Sequence, residues 1–245
     1  MKPAPWALAA ALAVGATPAL AEVDLGAGLV GVGGGNFLSK PSDKTLPYGN
    51  TGVRVETDFY PGFAGGTFGG GVAFDLRVLP WFGVEIDLLR TTDEGTGEYS
   101  LTVPGRTLKF DLTIGQDAWH LPVLAKLAVP SPVVSPVFLL GAERVFPGEA
   151  TMKVENDLGV TIPQLSAEVD GYWMITGGAG VEIALPLPVL DLRIPFSLRA
   201  SWNPGVSDEL EERVETDVTV PDSPIVIRSE WEYQVVATLG VSAYF

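Results

Sequence analysis

The chain has 245 residues, 47% of them apolar, with 29 Gly, 20 Pro, no Cys, a single His and a formal charge of −15. So much Gly and Pro argues against a helical bundle; the lack of Cys excludes disulfides, thiol nucleophiles and Cys-ligated metals, and the acidity excludes nucleic acid as a partner. A mean hydropathy of +0.27 nevertheless coexists with 30 acidic side chains, a conflict that the architecture has to resolve.

Residues 1–21 read as an export signal: Lys2 supplies the positive start, Ala7 to Ala16 the short apolar core, and Ala19-Leu20-Ala21 the small-x-small cleavage site. The apolar run falls short of the about 20 residues that a spanning helix needs. Cleavage leaves residues 22–245 as one domain and makes the chain one unit more negative. Further along, no stretch approaches the about 18 unbroken apolar residues of a membrane helix.

From there the apolar segments alternate with period 2, the strand signature. Val72, Phe74, Leu76 and Val78 oppose Gly71, Ala73, Asp75 and Arg77; Val84, Ile86 and Leu88 oppose Gly83, Glu85 and Asp87. Leu192, Ile194, Phe196, Leu198, Ala200 and Trp202 oppose Asp191, Arg193, Ser197, Arg199 and Ser201. In the last run Trp231, Tyr233, Val235, Ala237, Leu239, Val241, Ala243 and Phe245 oppose Glu230, Glu232, Gln234, Thr238, Gly240, Ser242 and Tyr244. Short Pro-marked turns at 79–81, 130–136 and 186–188 alternate with long polar segments at 36–66, 93–114, 147–170 and 204–228. The spacing predicts eight strands at 23–35, 68–78, 82–92, 115–129, 136–146, 171–185, 190–203 and 229–245. Pro122 and Pro195 fall inside strands four and seven, cannot donate to a ladder, and predict bulges.

Alternation alone does not say which face is inside, and a soluble sandwich or lipocalin-like barrel would bury the apolar one. The tryptophans decide. Trp119, Trp173, Trp202 and Trp231 lie on the apolar face at the long-loop ends of their strands, while Trp81, Phe82, Tyr244 and Phe245 mark the short-turn end. Two aromatic tiers about a membrane apart are interfacial girdles, so the apolar face meets lipid. Strands of about 9–11 residues suffice when tilted, and a closed sheet leaves no backbone group unpaired. The expected fold is all-β, an eight-stranded antiparallel up-and-down transmembrane β-barrel.

On these residues, with the signal ending in Ala19-Leu20-Ala21, the Gly-rich amphipathic strands and the terminal Val241-Ser242-Ala243-Tyr244-Phe245, residues 22–245 resemble the small outer-membrane β-barrel proteins of diderm bacteria, the OmpX and OmpW kind. The resemblance implies an outer-membrane location. It also implies a terminal-strand signal at Tyr233, Leu239, Val241, Ala243 and Phe245 that the barrel-assembly machinery reads.

Eight strands enclose a lumen just wide enough for side chains. Its expected ionic residues are Asp75, Arg77, Glu85, Asp87, Lys126, Glu182, Asp191, Arg193, Arg199, Glu230 and Glu232, seven acids against four bases. Buried charges must pair, so the arginines are expected in carboxylate networks that knit the barrel. Glu143 or Arg144 should join them, the register of the fifth strand leaving both open. His120 points inward by alternation. It has no second His with which to share a metal, and Pro122 takes the next same-face position, where a nucleophilic Ser would be needed. No cofactor, metal or catalytic residue is expected. The Gly clusters at 33–35, 69–71 and 177–178 sit in strand patterns and lack the context of a phosphate-binding loop.

Three long loops read as strand extensions: 99–103 with 107–110, 152–155 with 160–169, and 214–220 with 225–228. Such hairpins have open edges able to accept a partner strand. Seven acids from Asp208 to Asp222 face Arg213 alone, and Phe59-Tyr60-Pro61-Gly62-Phe63 is expected to fold onto the barrel mouth. The function expected is a monomeric barrel with a structural or surface-interaction role, presenting acidic hairpins outward, with membrane lipid and an extracellular protein as partners. The alternative is binding or transport of a small apolar molecule, and a lipid A-modifying enzyme comes third.

Overall fold

The computed structural model describes residues 23–39, 45–48, 53–56, 61–103, 106–156, 165–187, 190–206 and 230–245. The export segment, Phe59 and Tyr60, the acidic run 208–222 and the hairpin expected at 214–228 lie outside them.

Each strand prediction lands on an observed strand, and five of the eight strands are longer than expected. The chain forms β1 (Asp24–Leu38), β2 (Thr45–Tyr48), β3 (Val53–Glu56), β4 (Phe63–Leu79), β5 (Phe82–Val103), β6 (Arg106–Ala128), β7 (Val134–Asn156), β8 (Leu165–Ala167), β9 (Tyr172–Pro186), β10 (Asp191–Trp202) and β11 (Tyr233–Tyr244). Eight of these make a ring in the order β6-β5-β4-β1-β11-β10-β9-β7, closed by pairing of β6 with β7. All its pairings are antiparallel. Strands β2 and β3 pair only with each other, and β8 lies along β7. Both ends of the barrel chain meet at the short-turn end, where Leu25 and Phe245 exchange backbone hydrogen bonds of 3.2 and 3.0 Å.

Glycine permits the tight curvature. A Cβ on Gly71 would lie 1.9 Å from the carbonyl oxygen of Leu88, and one on Gly141 2.0 Å from that of Val123, so neither position tolerates a side chain without the strands parting. The prolines behave otherwise than expected. Around Pro122 the β5–β6 ladder skips from Ile86↔Val123 to Leu89↔His120 without a change of register, while its β7 side stays paired to Glu143. Around Pro195 the β10–β11 ladder likewise skips from Arg193↔Ser242 to Phe196↔Leu239. A missing N–H costs a ladder bond on one side only. At the second site Gly240 makes room for the ring, whose Cγ would stand 3.2 Å from an added Cβ. The register shifts fall elsewhere, near Val78 in β4 and opposite Asp117 at Gly148-Glu149 in β7.

The apolar face points outward. Leu29, Phe68, Phe74, Ile86, Val123, Leu140, Ile175, Leu198, Leu239 and Val241 are exposed around the whole ring, Leu140 to 66%. On β11 this wall runs from Tyr233 to Phe245, roughly 30 Å at about 3.4 Å per residue and a tilt near 40°. That is the thickness of a hydrocarbon core. Trp81, Trp119, Trp173 and Trp202 lie on this outer surface.

Trp231 does not. It is 2% exposed and packs inside the long-loop end of the barrel with Leu38, Phe63, Ile114 and Met152. The alternation that correctly assigns Tyr233 to Phe245 cannot be carried back through Glu232. There the chain bends, with the Glu232 N–H donating to the Phe37 carbonyl at 3.0 Å and its carbonyl accepting from Asn203 N–H at 2.8 Å.

Candidate functional site: a sealed lumen and its outer rim

Three tiers fill the interior. The lowest, at the short-turn end, is ionic. Lys126 on β6 pairs with Asp75, with Glu182 and, at 3.1 Å, with Glu85. Glu182 on β9 also receives Arg77 from β4 at 2.8 Å and Arg193 from β10 at 3.6 Å. Arg199 forks onto Glu85 at 2.5 Å and Asp87 at 2.6 Å, while its Nε donates to Ser197 at 3.1 Å. Five strands are tied across the lumen, and Tyr244 adds a ring face 4.3 Å from Arg193 and 5.3 Å from Arg77.

The apparent excess of lumen acid disappears in this arrangement. Asp75, Glu85, Asp87 and Glu182 are matched by Arg77, Lys126, Arg193 and Arg199, four against four. Of the other three acids, Asp191 sits at the rim, its side chain 42% exposed, and pairs with Arg193 at 2.7 Å. Glu230 is buried next to Trp231 at the opposite end of the barrel. Glu232 stands at the rim and accepts the Ser39 N–H at 3.1 Å. A balanced cluster is what low dielectric requires, since each unpaired ion costs several kcal/mol.

The second tier centres on His120. Its Nδ1 bonds Glu143 on β7, and its Nε2 lies 3.0 Å from the Thr91 hydroxyl on β5 and 4.0 Å from Asp93. Thr176 and Ser201 donate to the other Glu143 oxygen at 3.0 and 3.2 Å, and Thr67 donates to Asp93 at 2.5 Å. The order carboxylate–imidazole–hydroxyl is that of a nucleophilic triad. Thr91 and His120 are 3% and 2% exposed, buried in the barrel interior. This tier settles the fifth strand: Glu143 faces inward and Arg144 outward. Thr67, Thr91, Asp93 and Thr176 were missed by the sequence reading, and Ser201 was placed on the polar face without a role, although all occupy inward positions of the same alternation.

The third tier is apolar. Leu38, Phe63, Ile114, Ala150, Met152, Val169, Val206 and Trp231 form one buried cluster across the mouth. Phe63 is the member of the aromatic cluster 59–63 seen there, and it does lie in the mouth. Among the three tiers the described residues leave a void of about 20 Å³ beside Asp87, Arg199 and Thr238, room for about one water. No group of three or more His, Asp or Glu is placed to hold a metal among the described residues.

Beyond the mouth, β5, β6 and β7 continue as a sheet, with Val103↔Arg106 and Phe110↔Asn156 as its far pairs. The extensions expected at 99–103 with 107–110 and at 152–155 are present, and β8 covers the β7 edge between Ala150 and Met152. Pairing of β4 to β5 ends at Ala64↔Thr96, while β5 continues from Glu98 to Val103 along β6 at this edge of the sheet. Glu98, Asp111 and Glu155 stand directly opposite one another on the exposed face. At the base of this edge is a cleft of about 770 Å³ lined by Phe37, Phe63, Ala64, Thr96 and Leu112. Lower, level with Trp119, Arg90 pairs with Asp117 at 3.0 Å and Thr92 donates to it at 2.8 Å. These bonds, Thr92 first, hold the Asp117 carboxyl below its usual range.

A closed, lipid-faced ring with an ionic interior defines a transmembrane β-barrel protein. The sequence model of the family "Outer membrane protein beta-barrel domain" matches residues 7–203, and the chain belongs to that family. Its location is the outer membrane. Similar solved structures include Ail, the attachment invasion locus protein of Yersinia pestis, at 13% identity and a TM-score of 0.34, covering 91% of this chain and 99% of that one. Neisserial surface protein A shares 10% identity at a TM-score of 0.36, with 91% and 95% covered. OprG from Pseudomonas aeruginosa shares 12% at 0.35, with 89% and 95% covered. No curated protein matches the chain.

Proposed function

We propose that this protein is a monomeric, non-catalytic and non-conducting surface barrel, whose task is to hold the β5–β6–β7 sheet above the membrane as an interaction surface. The observation that carries this reading is the β5–β6–β7 sheet, which runs on beyond the last β4–β5 pair at Ala64↔Thr96 and above an interior that ionic, polar and apolar tiers occupy. The margin of such a sheet accepts an extended partner segment by strand addition. Glu98, Asp111 and Glu155 beside it favour a basic one. In this reading Trp81, Trp119, Trp173 and Trp202 anchor the barrel at the two interfaces, residues 1–21 direct export, and Tyr233, Leu239, Val241, Ala243 and Phe245 are read by the assembly machinery.

Transport of an apolar molecule requires a passage, and the apolar seal stands across it. Recording from the purified protein in planar bilayers separates the two. No unitary conductance is expected, and a reproducible conductance blocked by an apolar ligand overturns the proposal. Cells displaying a variant with residues 98–110 cut to a short turn should lose adhesion to protein-coated surfaces while keeping a folded barrel; unchanged adhesion removes the interaction role from this sheet.

A further inference from the structure

Arg144 stands on the outer wall at the level of the upper aromatic tier, where the described residues place one other cation, Arg90. Its backbone is opposite Leu121 on β6 and Trp173 on β9, both of which face outward. A cation there is costly in hydrocarbon, and the side chain escapes upward. A Cβ on Gly171, two residues above Trp173, would lie 2.9 Å from one guanidinium nitrogen and 3.3 Å from Cζ. The long stem thus runs along the wall and brings the charge to the level of the outer leaflet's headgroups.

The guanidinium is held on two sides. Its Cζ lies 5.4 Å from the centroid of Trp173 and 5.6 Å from that of Phe146, both within cation–π range. Gly171, lacking a Cβ, lets the guanidinium lie close against its backbone. Among the described residues no carboxylate pairs with it, whereas Arg90, at the same height two strands away, is neutralised by Asp117. Five N–H donors in a fixed plane, fixed by rings that accept none of them in-plane, match a phosphate bidentately.

We infer that Arg144, with Trp173, Phe146 and Gly171, binds the phosphate of an outer-leaflet lipid, and that a phosphomonoester headgroup suits it best. A phosphocholine headgroup brings its own cation to compete, and a phosphomonoester brings none. The source is a lipid, not a dissolved anion. The chain carries a charge of −15 and repels anions from solution, whereas a lipid presents its phosphate sideways from within the leaflet.

The test is native mass spectrometry of the full-length folded protein released from phosphatidylcholine vesicles containing phosphatidic acid. Wild type should retain phosphatidic acid over phosphatidylcholine by about fivefold, the effect of one cation at a membrane surface. Arg144→Gln should bring that ratio to about one, and Arg90→Gln should leave it unchanged. Arg144→Lys keeps the charge but loses the planar fork, and should retain a smaller preference. Millimolar inorganic phosphate should not displace the lipid. Heat-modifiable migration on gels confirms that each variant is folded. An undiminished preference in Arg144→Gln overturns the site, and displacement by inorganic phosphate overturns its assignment to lipid.

Discussion

Arg199→Met tests whether the lower tier is a balanced ionic cluster. Arg199 is 6% exposed and supplies both of its forks, to Glu85 and Asp87. Removing it leaves four carboxylates with three cations. Glu85 keeps Lys126 at 3.1 Å, but Asp87 loses the only cation within 4 Å among the described residues. Breaking a buried pair from one side costs about 3–5 kcal/mol, because the remaining ion stays buried without its partner. Removing both ions is different: Arg199→Met with Asp87→Leu restores neutrality and adds apolar contact beside Val30, Val137 and Leu139. The double variant should lie within about 1 kcal/mol of wild type, a recovery typical of swapping a buried pair for apolar residues. Urea unfolding in phospholipid vesicles, followed by tryptophan fluorescence with a constant m-value, measures each difference. A single variant within about 0.5 kcal/mol of wild type, the range expected of ordinary surface changes, would refute the reasoning. So would a double variant less stable than the single.

Trp231→Ala should cost about 3–5 kcal/mol in the same assay, the usual toll of emptying a buried aromatic site, whereas outward-facing Trp202→Ala should cost much less; equal losses would remove the apolar seal from the account. Asp111 stands between Glu98 and Glu155, and like charges directly opposite are destabilising. Asp111→Lys should therefore slow proteolysis of the projecting sheet, and faster cleavage would contradict the pairing. The lowered Asp117 carboxyl contributes its bond energy in full at and above the ordinary Asp value near 3.9, and loses it as pH falls through the lower folded value. Carboxyl-detected NMR titration should show Asp117 rising toward the ordinary value in Thr92→Val, and an unmoved titration would exclude the hydrogen bond as its cause.

The barrel was legible because lipid imposes a single phase on the alternation from one interface to the other. Within that span Val72 to Leu76, Val84 to Leu88 and Tyr233 to Phe245 fall where period 2 puts them. Above the interface the solvent is water, and the preference inverts: Asp117 and Lys153 face out while Ile114 and Met152 face in. The inversion left the projecting strands legible as extensions but hid the apolar seal, whose members are single apolar residues scattered through those segments. Trp231 lies just beyond the same boundary, and counting through the bend at Glu232 put it on the wrong side. The fifth strand was ambiguous for another reason. From Leu139 to Phe146 both faces carry apolar residues, and only the pairing Trp119↔Phe146 fixes which side is which. Interior contacts such as His120 with Glu143 and Thr91 join residues on three strands, and alternation names the facing set without naming the partners.

Quenching by lipids brominated along their acyl chains tests the central placement most directly, using variants that keep one tryptophan each in vesicles. Trp119, Trp173 and Trp202 should be quenched, most strongly by bromines near the headgroup, while Trp231 should keep its emission at every depth. Strong quenching of Trp231, or protection of the other three, would contradict a ring whose apolar wall faces lipid and whose charges lie within.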